Sequence, residues 1–255
     1  MAVAFIQGAS RGLGLEFARA LSSRGGVKVV AGCRDPDTAV SLQALPEVDI
    51  VRCDVTSEPD LASVAGHISQ NYGQLDFAIN VSGILHPSGR GEVRLQDVTF
   101  SALQDTFLVN TFGPLMMAKH FVPLLQRGRG LVGTQSGKAK NQHSGVLAHI
   151  SARVGSISDN RLGGWYGYRM SKAALNMANK NLSVELGRGK NRVVCLCLHP
   201  GTTDTDLSRP YHKGVPKDKL FSTEYSVQKM MEVVDRSSLE DSGRFIAWDG
   251  QDIQF

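Results

Sequence analysis

The chain has 255 residues, of which 42% are hydrophobic and 20% charged, with a formal net charge of +4. That length suits one large domain with a well-filled core, and the composition is that of an ordinary globular protein rather than a disordered one. The basic excess is too small and scattered to form a nucleic-acid stripe, and no run reaches the roughly 18 apolar residues of a membrane span.

In chain order, short apolar runs alternate with helical patterns. Residues 3–7 read as a first strand, with no basic or long apolar leader before it. A helix over 12–24 follows, closed by Gly25-Gly26, where glycine permits the left-handed stop. Strands are then predicted at 27–33 and 48–53, a helix at 58–72, a strand at 75–80 and a long helix at 100–125. Strand 145–151, helix 168–186, strand 192–198, helix 223–237 and strand 244–248 complete the pattern. The strand runs are continuous rather than alternating, as in a parallel sheet buried on both faces. Repeated strand–helix alternation implies right-handed crossovers and one doubly wound α/β domain over residues 1–255.

Two stretches break the alternation. Residues 127–144 are rich in Gly, Lys and Arg and read as a surface loop on the side away from any ligand edge. Residues 204–222 follow the carboxyl end of a strand, where open α/β sheets bind ligands. That makes them the candidate substrate lid, with Leu207, Tyr211 and Phe221 joining Trp165 around an apolar pocket. The four cysteines are Cys33, Cys53, Cys195 and Cys197. They show no paired zinc-like spacing, so no metal is expected, and they read as buried free thiols of a reducing, cytoplasmic protein.

After the first strand comes Gly8-Ala9-Ser10-Arg11-Gly12-Leu13-Gly14, and a helix begins at once. Glycines in that place let the backbone turn tightly and approach a pyrophosphate seated on the helix N-terminus. At the end of the second strand, where a site for NAD carries an acid, this chain has Cys33 and then Arg34. A guanidinium there offers a charged fork to a 2′-phosphate, and Arg11 could reach the same group, so NADP(H) is the expected cofactor.

Tyr168-Arg169-Met170-Ser171-Lys172 places a phenol and an ammonium four apart on one helix face. A neighbouring ammonium favours the phenolate and should move the tyrosine toward working pH, where proton transfer is most effective.

The glycine spacing and the Tyr-x-x-x-Lys pair together resemble the short-chain dehydrogenase/reductase family over essentially the whole chain. The resemblance implies a Rossmann-type, doubly wound α/β fold with a seven-stranded, mostly parallel sheet and helices on both faces. It implies Tyr168 as proton donor, Lys172 as its partner on the ribose hydroxyls, and Asn110 as the helix-kinking residue that binds a relay water. Asp54-Val55 matches the adenine contact, and Asn80-Val81-Ser82-Gly83 the Asn-x-x-Gly turn. Pro200-Gly201 opens the turn whose Thr203 backbone meets the nicotinamide amide and whose Thr205 meets phosphates. Gly155-Ser156-Ile157-Ser158, Gly163-Gly164-Trp165-Tyr166 and Ser242-Gly243-Arg244-Phe245 look like the C-factor and sniffer-type carbonyl reductase branch. The insertion of monomeric carbonyl reductases is absent, so a homodimer or homotetramer is expected. One departure stands out: the position of the family's catalytic serine is Ala152. Ser151 and Ser156 are the candidate replacements. Two functions follow as alternatives: an NADPH-dependent reductase of a ketone, aldehyde or quinone, or an NADP(H)-binding sensor with impaired catalysis.

Overall fold

The structure is a computed structural model that describes residues 1–132 and 143–255. Seven strands form one sheet: β1 (Ala2–Gln7), β2 (Val27–Cys33), β3 (Val48–Arg52), β4 (Phe77–Asn80), β5 (Gly145–Ile150), β6 (Val193–His199) and β9 (Phe245–Ala247). Their order is β3-β2-β1-β4-β5-β6-β9, every neighbouring pair parallel. A two-residue pair, β7 (Thr202–Thr203) with β8 (Leu220–Phe221), lies outside it.

Alternation along each strand sorts the core into two layers. Ala4 and Ile6 of β1 face α1 (Gly12–Ser22) and α7 (Thr223–Arg236), where Phe17, Leu21, Val227 and Met230 pack, with Leu42 of the short α2 (Val40–Gln43). Val3 and Phe5 face the other way, onto Leu61 and Ile68 of α3 (Glu58–Asn71) and Phe121 of α5 (Gly113–Leu125). The catalytic candidate helix α6 (Tyr166–Leu186) belongs to this second layer through Leu186. The chain runs outward from β1 to β3 and returns to β4 on the other side of β1. That reversal opens a crevice at the carboxyl ends of β1 and β4.

The predicted long helix over 100–125 is divided. It is α4 (Phe100–Phe107), a π turn (Leu108–Phe112) and α5. Within the turn the Gly113 N–H reaches the Leu108 carbonyl, five residues back. Pro114 has no N–H and removes the donor that α-helical spacing would give the Asn110 carbonyl. The apolar periodicity is continuous across this point, so periodicity alone hides the break. The short α2 and the β7–β8 pair were not expected either. Of the predicted loop 127–144, residues 133–142 lie outside the described residues. The predicted lid 204–222 holds two 3₁₀ turns, Arg209–Gly214 and Lys217–Lys219, before β8.

Candidate active site

A cavity of about 1160 Å³ runs along the carboxyl edge of the sheet, from Arg34 beyond β2 to His199 at the end of β6. Its first half is built from the glycine turn. Gly8 sits at φ +86°, and a β-carbon there would meet the Ser82 hydroxyl at 2.7 Å. A β-carbon on Gly14 would overlap the Gly8 carbonyl oxygen, so α1 packs directly on the turn. The Arg11 N-cap position makes no side-chain capping bond, and the first turn of α1 carries no acid. By contrast α3 and α7 are capped by Ser57 and Ser222 and carry acids in their first turns. The α1 N–H groups and positive dipole end are thus left for an anion at the crevice.

Gly8, Ser10, Arg11, Gly12 and Leu13 line the cavity, and Arg34 and Asp54-Val55 line its far end. Arg34 is exposed and its guanidinium shows no ion pair among the described residues, whereas Arg11 holds an exposed contact to Asp206 at 3.5 Å. Val81, Ser82 and Gly83 line the middle. Two predicted cofactor residues do not line it. Gly14 lies behind the turn, and Asn80 is fully buried, its amide donating to the Ser82 carbonyl at 3.3 Å. Pro200, Gly201, Thr203 and Thr205 form the opposite wall, and a β-carbon on Gly12 would lie 3.5 Å from the Thr205 methyl.

The second half is a buried polar cluster. Tyr168 is 7% exposed and Lys172 3% exposed, on successive turns of α6. Lys172 Nζ donates to the Ile150 carbonyl at 2.8 Å and lies 5.7 Å from the Tyr168 ring centroid. Asn110 Oδ1 accepts from the Ile84 N–H at 2.8 Å; its Nδ2 donates to the Ile84 carbonyl at 2.8 Å and to Ser171 Oγ at 3.0 Å. Ser171 in turn donates to the Tyr168 carbonyl at 2.9 Å. A β-carbon on Gly83 would sit 3.4 Å from both Asn110 Oδ1 and Lys172 Nζ. The π turn therefore ties the loop after β4 to the helix that carries the phenol.

Burial sets the protonation states. It pulls Lys172 down to about 8, opposed only by its electrostatic contact with Cys197. It pushes Tyr168 up, with no opposing pull from Lys172. The expectation that the ammonium would lower the phenol is thus reversed: desolvation dominates, because Nζ points to the Ile150 carbonyl and the phenol is enclosed. A phenol kept protonated is the form that can donate a proton.

Both candidate serines have their hydroxyls engaged within the protein. Ser151 is buried, lines the cavity and donates its hydroxyl to Asn176 Oδ1 at 2.7 Å. Ser156 faces a separate surface depression, where its hydroxyl accepts from the Asp159 N–H at 3.1 Å. Ala152 itself is on the cavity wall. Of the predicted lid residues, Leu207 and Tyr211 line the cavity, and Tyr211 packs on Trp165 with ring centroids 4.7 Å apart. Phe221 instead packs on Trp248 at 4.6 Å, outside the cavity. The sequence reading missed Arg153 and His199, both on the wall. For His199 a signal existed: it ends a strand directly before Pro200-Gly201, where ligand contacts concentrate. Among the described residues no group of three or more His, Cys, Asp or Glu could hold a metal ion, and no helix is long and apolar enough to cross a membrane.

The profile of the short chain dehydrogenase family matches residues 2–215. The C-signal of Myxococcus xanthus is 35% identical over 181 residues, covering 71% of this chain and 93% of that protein. The NADPH-bound carbonyl reductase from chicken fatty liver superimposes with a TM-score of 0.86 at 28% identity, over 100% of this chain and 94% of that one. Carbonyl reductase Sniffer of D. melanogaster gives a TM-score of 0.85 at 26% identity, over the full length of both.

Proposed function

The chain belongs to the short-chain dehydrogenase family, and from that premise we propose that it is an NADP(H)-dependent oxidoreductase that reduces a ketone, aldehyde or quinone, with Tyr168 as proton donor. The observation that carries this reading is the enclosure of Tyr168 and Lys172 at the cavity that the glycine turn opens, with Asn110 fully buried off its lining and bonded to Ser171. NADPH-bound chicken carbonyl reductase, similar over the whole chain, supports the choice of cofactor.

The residues present fit such a cofactor. The uncapped α1 terminus, with Gly8, Ser10, Gly12 and Leu13, would hold its pyrophosphate, and Thr205 would add a hydroxyl. Arg34 and Arg11 would take the 2′-phosphate, Asp54 and Val55 the adenine, and the Thr203 backbone the nicotinamide amide. Val81-Ser82-Gly83 would flank the ribose with Asn80 bonded to them from behind, Gly14 would let α1 pack against the Gly8 turn, and Pro200 and Gly201 shape the opposite wall. When bound, the cofactor supplies the hydride for the carbonyl carbon. Tyr168 transfers its phenolic proton to the carbonyl oxygen as charge develops there, and Lys172, held by Ile150, binds ribose hydroxyls and stabilises the phenolate left behind. Asn110 fixes the π turn that brings these groups together.

NADPH oxidation measured over a panel of ketones, aldehydes and quinones tests the reading; turnover with at least one carbonyl that depends on Tyr168 is expected. NADPH binding without turnover on any of them would favour the alternative, a cofactor-binding sensor, which Ala152 and the similarity to C-signal support. The exposed apolar side chains Phe112, Met170, Met177 and Val184 on α6 and the adjoining π turn favour a homo-oligomer, which light scattering would reveal. The four buried free thiols suit a cytoplasmic location.

A further inference from the structure

Ala152 leaves the family's serine position without a hydroxyl, and the adjacent Ser151 hydroxyl is taken by Asn176, yet a further donor stands close by. His199 is the last residue of β6, and β5 runs on alongside it. The Ser151 N–H bonds to the Leu198 carbonyl at 2.8 Å, which sets Ala152 and Arg153 next to the His199 ring. The Arg153 backbone N–H donates to His199 Nδ1 at 3.3 Å. A backbone N–H can only donate, so Nδ1 is the bare nitrogen, and a neutral imidazole must then carry its proton on Nε2. Nε2 has no hydrogen-bond partner among the described residues, and His199 is partly exposed and lines the same cavity as Ala152 and Tyr168.

Three charged groups act on this ring. Arg153, paired with Asp159 at 3.3 Å, disfavours a second proton, while Asp159 and Asp249 favour it. Burial outweighs all three and brings His199 to about 4. The ring therefore stays neutral, with one fixed N–H, through the working range of a cytoplasmic enzyme.

We propose that His199, through Nε2–H, is the catalytic residue that hydrogen-bonds the substrate carbonyl oxygen in the place vacated at Ala152. The imidazole gives no proton away: Tyr168 still supplies it, and His199 stabilises the negative charge that develops on oxygen. This rests on the carbonyl-reductase reading above. A neutral imidazole held in one tautomer by a backbone N–H is a preorganised donor, the kind of group whose removal costs roughly 10²–10³ in rate.

The test compares wild type, H199F, A152S and the double variant H199F/A152S with a carbonyl that wild type reduces. H199F should lower kcat by about a hundredfold while the Kd for NADPH, read by fluorescence, stays within about twofold. Serine at 152 should recover at least tenfold in the H199F background and change wild type by less than about threefold. H199F turnover within threefold of wild type, or no recovery by A152S, would overturn the assignment. Independently of activity, ¹⁵N NMR of the histidines should show His199 as the Nε2–H tautomer at neutral pH; an Nδ1–H tautomer also overturns it. A wild type that reduces no carbonyl sinks the functional reading instead, and this proposal with it.

Discussion

The cavity wall at β1 and β2 is made of backbone and exposed charge, whereas the wall at β5 and β6 is made of enclosed titratable side chains. At the first, glycines bring the main chain up to the crevice, α1 is left uncapped, and Arg34 stands in solvent. At the second, Tyr168 and Lys172 are almost wholly buried, with His149 of β5 enclosed behind them, and all three are displaced from their ordinary pKa values. The contrast matches the two tasks proposed for the site. Gripping a polyanion needs many accessible donors with no titration of their own, while moving a proton needs one group whose two states are held apart by desolvation.

The sharpest break of this comparison is at the phenol. Tyr168→Phe removes one hydroxyl from an enclosed site, so kcat should fall by about a thousandfold or more while NADPH affinity and melting temperature hold. Near-normal turnover would show that the buried wall does not supply the proton.

Acid should act on the buried interior behind the second wall before it acts on the exposed one. Burial, reinforced by Lys172, holds His149 at about 3. The unfolded chain binds that proton from about pH 6.5 downward, so stability is full above pH 6.5 and is lost as the pH falls toward 3. By pH 4 the loss from His149 amounts to about 3 kcal/mol. Its Nδ1 is buried without a partner, so His149→Leu should leave neutral stability intact. It should also flatten the denaturation curve between pH 6.5 and 4; an unchanged slope would assign the acid lability elsewhere.

On the exposed wall a single charge should matter to one cofactor alone. Arg34→Ala should weaken NADPH about ten- to a hundredfold, the loss of one charge-assisted contact, and leave NADH nearly unchanged. Equal loss for both would show that Arg34 does not read the phosphate. The smallest effect is expected where a hydroxyl is present but engaged. Ser151→Ala and Ser156→Ala should each change kcat by less than about threefold, since one hydroxyl faces Asn176 and the other lies outside the cavity.

Local pattern was enough for the frame. Continuous apolar runs identified all seven parallel strands within one or two residues, because strands buried on both faces must be apolar throughout. The glycine turn was equally legible, since a positive φ at Gly8 and the overlap at Gly14 admit no other residue type. Three features depended on contacts far apart in the chain. The π turn around Asn110 arises from its bonds to Ile84 and Ser171 as well as from Pro114. The direction of the Tyr168 shift arises from enclosure by elements distant in sequence. The place of His199 beside Ala152 arises from the parallel register of β5 on β6. Sequence determines which groups the chain owns and which backbone shapes it tolerates. Desolvation and cross-strand register exist only once the sheet is assembled, so the protonation state of a phenol and the placement of His199 beside Ala152 were decided there.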